Sequence, residues 1–181
     1  LFDFWVGPQH ARVGGIGRVF EPLAELAESG VEVTLLRGNR DFLMGGDVAR
    51  RIGGRVVGEE LAVDLYERRY LLLHGDSLCT ADVRHQRDRL IMRSPFVRFL
   101  ARVVPLSIAL RIVRRMRTAS KRSVARKTAD EMGIVGATVR RRFGDGYSAL
   151  VCGHLHDPGL REYGEEGRSM PVYVLGDWKG G

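Results

Sequence analysis

Four short, largely apolar runs recur along this chain, at residues 31–36, 70–73, 149–152 and 172–175. Each gives way at once to small or polar residues. Runs of this kind suit strands buried on both faces, as in a mainly parallel sheet covered by helices. Residues 56–65 form a further, less regular candidate strand. Helices are expected over residues 20–29, stopped by Gly30, and over 47–52, stopped by Gly53-Gly54. The fold class that follows is α/β.

A different pattern occupies the middle of the chain. Phe96, Phe99, Leu100 and Val103 repeat at helical spacing. Leu106, Ala109, Leu110 and Val113 do so again after Pro105. Two amphipathic helices with a break between them are predicted, and a third over about residues 120–142. Net charge is +7, yet residues 84–127 alone carry +13, while the remainder carries −6. So one-sided a strip attracts polyanions, phosphate groups or anionic lipid, and its arginines match phosphate with paired hydrogen bonds. The predicted organisation is an α/β core in two parts, residues 1–82 and 144–181, interrupted by a basic helical insertion over 83–143.

Composition narrows the choice further. With 44% apolar and 28% charged residues the chain is globular rather than disordered. Cys79 and Cys152 are too few for a disulfide framework and fit a reducing compartment. The longest apolar stretch, 99–110, contains Arg102 and Pro105 and is too short to span a bilayer.

Chemistry-bearing residues follow the predicted strands. Gly38-Asn39-Arg40-Asp41 follows the first, His74-Gly75-Asp76 the second, Gly153-His154-Leu155-His156 the third and Gly176-Asp177 the fourth. Ligands of open α/β sheets bind outside the carboxyl ends of strands. Imidazole, amide and carboxylate groups there suit Mn, Zn or Fe. Two such ions about 3.5–4 Å apart can clamp a phosphate during in-line attack by water. Taken singly, a His-x-His is more often a surface pair, Gly-Asn a turn, and a strand-end histidine a hydrogen-bonded core residue. In order and together they point to a binuclear metal site. His10 and His85 lack a strand-end context.

These blocks resemble those of the calcineurin-like metallophosphoesterase superfamily. More narrowly they resemble the UDP-2,3-diacylglucosamine pyrophosphohydrolases of lipid A biosynthesis. The carriers are Leu1-Phe2-Asp3-Phe4-Trp5-Val6-Gly7, Gly38-Asn39-Arg40-Asp41-Phe42-Leu43 and His74-Gly75-Asp76-Ser77-Leu78-Cys79-Thr80, then Arg115-Met116-Arg117-Thr118-Ala119-Ser120-Lys121, Gly153-His154-Leu155-His156-Asp157-Pro158 and Leu175-Gly176-Asp177-Trp178. The resemblance implies a metallophosphoesterase αββα sandwich, truncated here, with a basic helical lid.

It also implies an activity: hydrolysis of the pyrophosphate to UMP and 2,3-diacylglucosamine 1-phosphate, by water attack on the α-phosphorus at a Mn pair. Asn39, His74 and His154 match ligands of one metal and His156 a ligand of the other. Asn39, Arg40 and His74 take the catalytic positions. Asn39, Arg40, Asp82, Ser120, Lys127 and His154 match substrate-binding positions, and the lid matches a receptor for acyl chains. The implied setting is the cytoplasmic face of an inner membrane, held peripherally, without nucleic acid or a protein partner.

The family's opening Asp-x-His and its bridging Asp would lie upstream of Leu1, so the chain as it stands is expected to bind metal weakly and hydrolyse nothing measurable. Val124 stands at a polar family position, and His85 at that of an aromatic hydroxyl. Two alternatives stay open: a metallophosphoesterase for another phosphodiester or pyrophosphate, and a non-catalytic binder using the cationic stretch.

Overall fold

The computed structural model of the chain describes residues 4–13, 15–124, 128, 132–155, 157–164 and 167–176. It divides into two compact units, Leu1–Gly58 with Asp88–Arg126, and Glu59–Arg87 with Lys127–Gly181.

In the first unit, α1 (Phe20–Glu28) and α2 (Gly46–Arg51) accompany a two-stranded parallel sheet of β1 (Thr34–Leu36) and β2 (Arg55–Val57). Gly30 ends α1 as expected: at φ +92° its N–H reaches the Ala27 carbonyl, and that of Val31 reaches Leu26. The core joins Trp5, Phe20, Val33, Met44, Val48 and Ile52, with Trp5 and Phe20 edge to face at 5.6 Å. The first strand is shorter than residues 31–36 because Val31 is exposed and β2 pairs with only three residues.

This unit also holds α4 (Pro95–Val103) and α5 (Leu106–Val124), the two amphipathic helices foreseen. The Ser94 hydroxyl accepts from the Val97 N–H and Pro95 opens α4, two features that favour a helix start. Val104 is extended before Pro105, which separates the helices. The chain reaches this pair through α3 (Val83–Met92), which begins in the other unit.

The second unit is built on a five-stranded sheet of β3 (Glu60–Leu65), β4 (Arg68–Leu73), β5 (Ala149–Cys152), β6 (Gly159–Glu162) and β7 (Pro171–Val174). Their spatial order is β3-β4-β5-β7-β6. The central three are parallel and the two edges antiparallel. The parallel strands are the continuous apolar runs of the sequence, and Leu71, Leu73, Leu150, Cys152, Val172 and Val174 fill the core.

Against them lies α6 (Gly136–Gly144), through Val139 and Phe143. Sequence placed these residues in the insertion, whereas here they belong to the sheet's own core. Arg142 of α6 pairs with Glu60 of β3, and the Val135 N–H donates to the Leu78 carbonyl at 3.0 Å.

Two expectations are corrected. Residues 56–65 form not one strand but parts of β2 and β3, in different sheets, parted at Gly58-Glu59. Nor does one helix cover 120–142: Gly133, Ile134 and Val135, between α5 (Leu106–Val124) and α6, are non-helical. Glycine at 133 and 136 weakens a helix there, and burial of α6 on the sheet fixes its own start. The α/β class itself is what the structure shows. Among the described residues no helix is long and apolar enough to cross a membrane.

Candidate active site

Two parallel strands deliver the central histidines of the second unit. His74 follows β4 and His154 follows β5 after Gly153, so the neighbouring strands bring the two motifs side by side. The loops are stitched together, the Gly153 N–H donating to the His74 carbonyl at 3.1 Å. The His74 N–H in turn donates to the Glu59 carbonyl at 3.1 Å. The imidazoles of His74 and His154 meet edge to face, with ring centroids 5.1 Å apart.

Gly75 makes this approach possible. A side-chain carbon there would stand 2.9 Å from the Gly153 carbonyl oxygen and 3.2 Å from Cβ of His154. Its φ of +113° is also one that L side chains rarely adopt. His154 itself sits at φ +69°. For a non-glycine residue that left-handed conformation costs on the order of 1–3 kcal/mol, and such strain gathers at functional sites.

The remaining groups are placed by local hydrogen bonds. Asp82 caps α3: its carboxylate accepts from the His85 N–H at 3.0 Å. Gln86, one residue on, donates from Nε2 to the carbonyls of Asp76 at 2.7 Å and Cys79 at 3.1 Å. That ties the first turn of α3 to the loop carrying His74. In consequence the His85 ring stacks on His154 at 5.5 Å. Sequence did not select His85, because no strand leads to it. Asp82 at the start of a helix and the aromatic family position that His85 occupies were the signals that pointed there.

Asn39 and Arg40 lie in the first unit, in the bend after β1. The Asp41 carboxylate accepts from the Gly38 N–H, closing the bend, and the Trp5 N–H donates to the Arg40 carbonyl at 2.9 Å. Asn39 is half-buried and Arg40 exposed. Ser120 lies exposed on α5 of the same unit. Lys127 and His156 lie outside the described residues, as do Asp177 and the side chain of Val124.

Burial decides the state of three other groups. Burial pushes the Cys79 thiol up to about 12 and the Cys152 thiol up to about 11. Burial holds both in the thiol form near neutrality, so neither is poised as a nucleophile. His10 is a core residue, stacked on Phe4 at 5.1 Å and tilted against Trp5 at 5.7 Å. Burial lowers its pKa from 6.5. The unfolded chain therefore takes up a proton, as pH falls below about 6.5, that the folded chain still refuses. Stability is complete above that pH and declines below it. Urea melts between pH 7.5 and 5 should show this decline, and His10→Phe should flatten it; an unchanged slope in the variant would assign the decline elsewhere.

The donor set near β4 and β5 fits a metal in kind: two imidazoles from stitched loops. Among the described residues, no group of three or more His, Cys, Asp or Glu side chains is placed to hold an ion.

No family model matches the chain. It is 36% identical to the UDP-2,3-diacylglucosamine hydrolase of Edwardsiella ictaluri (strain 93-146), over 98% of this chain and 69% of that relative. The chain belongs to the UDP-2,3-diacylglucosamine hydrolase family. The proteins of that name from Aeromonas salmonicida (strain A449), 34% identical over 98% of this chain and 70% of theirs, and from Azotobacter vinelandii, 35% over 98% and 74%, agree. The family is one of hydrolases, and the α/β architecture above is the frame on which this member carries its motifs.

Proposed function

We propose that the protein hydrolyses the pyrophosphate of UDP-2,3-diacylglucosamine. Water attacks the α-phosphorus, and the products are UMP and 2,3-diacylglucosamine 1-phosphate, a step of lipid A biosynthesis. The observation that carries the reading is the stitched pair of loops with His74 and His154 in ring contact, in a chain of this family.

In this reading Asn39, His74 and His154 hold one Mn2+ ion and His156 contributes to a second, the motif order assigning each its place. When bound, such a pair supplies Lewis acidity to the phosphoryl oxygens and to the attacking water. The protein's own residues do the rest. His74 is pre-set by backbone hydrogen bonds and His154 by its ring contacts, so little ordering remains when substrate arrives. Arg40 presents an exposed guanidinium that matches two phosphate oxygens at once, on a bend that Asp41 and Trp5 hold. Asp82, Ser120, Lys127 and His154 contact the substrate.

The lipid half of the substrate is supported by α4 and α5. Phe96, Phe99 and Val103 on α4, and Ile108, Ile112 and Met116 on α5, are all exposed. They stand at helical spacing, each helix presenting a stripe. Exposed apolar surface beside cationic groups suits acyl chains and, beyond them, the anionic cytoplasmic face of an inner membrane on which the protein rests peripherally.

A panel of nucleotide-sugars with and without acyl chains tests the substrate. Turnover of the diacyl compound is expected to exceed that of UDP-glucosamine at least about 100-fold, since one acyl chain buries many methylenes at roughly 0.8 kcal/mol each. The double variant Phe96→Ser, Phe99→Ser should raise KM for the diacyl substrate about 10-fold or more. Equal turnover of acylated and unacylated compounds would favour a phosphoesterase of other specificity.

A further inference from the structure

The histidine pair has a third ring against it. His85 stacks on His154 with centroids 5.5 Å apart and planes 30° apart, while His74 meets the same ring at 69°. His154 is thus held from two directions. It needs to be, since its backbone occupies a strained left-handed conformation at φ +69° and a relaxed neighbouring loop would aim the ring elsewhere.

His85 is itself held firmly. The Asp82 carboxylate accepts its N–H, and Gln86 fastens the same helical turn to the Asp76 and Cys79 carbonyls. Its Nε2 is buried and makes no hydrogen bond among the described residues. A polar atom kept out of water in this way is unfavourable. What the side chain offers to His154 is the face of its ring.

We infer that His85 is a positioning residue: its ring face fixes the plane of His154 and so sets the direction in which His154 offers its nitrogen to the metal. The inference rests on the proposed role of His154 as a metal-holding group. It extends the site to α3, an element that carries none of the strand-end motifs. Residues that orient a metal-holding imidazole typically change metal affinity or activity by about 10–100-fold when removed.

The test compares His85→Ala, His85→Leu and His85→Phe in the full-length protein, reading Mn2+ affinity by calorimetric titration together with kcat, KM and Tm. Ala and Leu remove the flat face, and each is expected to weaken Mn2+ binding about 10-fold and lower kcat to a similar extent, with KM within about twofold. Phe keeps the face and discards the buried nitrogen. It is expected to retain Mn2+ affinity within about threefold and to leave Tm equal or higher. Leu provides the comparison if Ala does not fold. Wild-type Mn2+ affinity in His85→Leu would overturn the inference, and so would a loss in His85→Phe as deep as in Ala, which would make the nitrogen the working part. If the unsubstituted protein neither binds Mn2+ nor hydrolyses substrate, it is the proposed function that fails, and the two failures are distinguished in one experiment.

Discussion

Replacing His74 by alanine in the full-length protein is expected to lower Mn2+-dependent hydrolysis of UDP-2,3-diacylglucosamine by at least about 1,000-fold, well beyond the 10–100-fold typical of residues that only support a metal ligand. The fold should survive. His74 is half-buried, and its backbone N–H and carbonyl, which hold the loop to Glu59 and Gly153, are untouched by the substitution. The variant should melt within a few degrees of the parent and fail to hold Mn2+ at the parent's affinity. Hydrolysis within tenfold of the parent in a folded His74→Ala protein would remove His74 from the chemistry. A non-catalytic role for the cationic helices would pass this test unaffected, which is why the substitution also separates an enzyme from a binding module.

The second large effect is a single methyl group at Gly75. In Gly75→Ala the new carbon meets the Gly153 carbonyl oxygen at 2.9 Å and Cβ atoms of His154 and Cys152 at 3.2 and 3.3 Å. The carbonyl cannot retreat cheaply, because Gly153 is bonded through its own N–H to His74. The φ of +113° adds conformational strain. Overpacking and backbone strain each cost about 1–3 kcal/mol. A loss of about 3 kcal/mol is expected, lowering Tm by about 6–12 °C in a chain of this size, together with most of the activity.

Gly153→Ala is the matched control. Its added carbon would lie 3.6 Å from the His74 carbonyl oxygen, an ordinary contact. It should cost less than about 1 kcal/mol. Calorimetry on the two variants decides the point, and equal melting temperatures would show that the loops do not approach as described.

The sequence made the parallel strands legible because their environment is uniform. Leu71, Leu150 and Val172 are buried in one core, and a strand covered on both faces needs only apolar residues. A helix end written in local chemistry was also readable, as at Gly30. What depended on tertiary choice was not. Gly58-Glu59 looks like the inside of a strand, yet it is where the chain leaves one sheet for another. Charged residues at helical spacing continue past Val124, although the segment before Gly136 is not helical at residues 133–135. Ranking Val139 and Phe143 as core required knowing that α6 covers the sheet.

The site divides the same way. His74 and His154 were found because a buried strand ending in a polar residue is a local signal. His85 was not chosen, because its place beside His154 comes from a helix cap at Asp82 and an amide at Gln86. His10, unselected on the same criterion, is a core ring against Phe4 and Trp5.

The most direct measurement of the central claim follows oxygen. Full-length protein, Mn2+ and UDP-2,3-diacylglucosamine are combined in 18O-labelled water and the products weighed by mass spectrometry. The account predicts UMP carrying one 18O atom and unlabelled 2,3-diacylglucosamine 1-phosphate, both lost on adding a chelator or on substituting His154. Label in the lipid product, or UMP release that persists without metal or without the His154 imidazole, would contradict it.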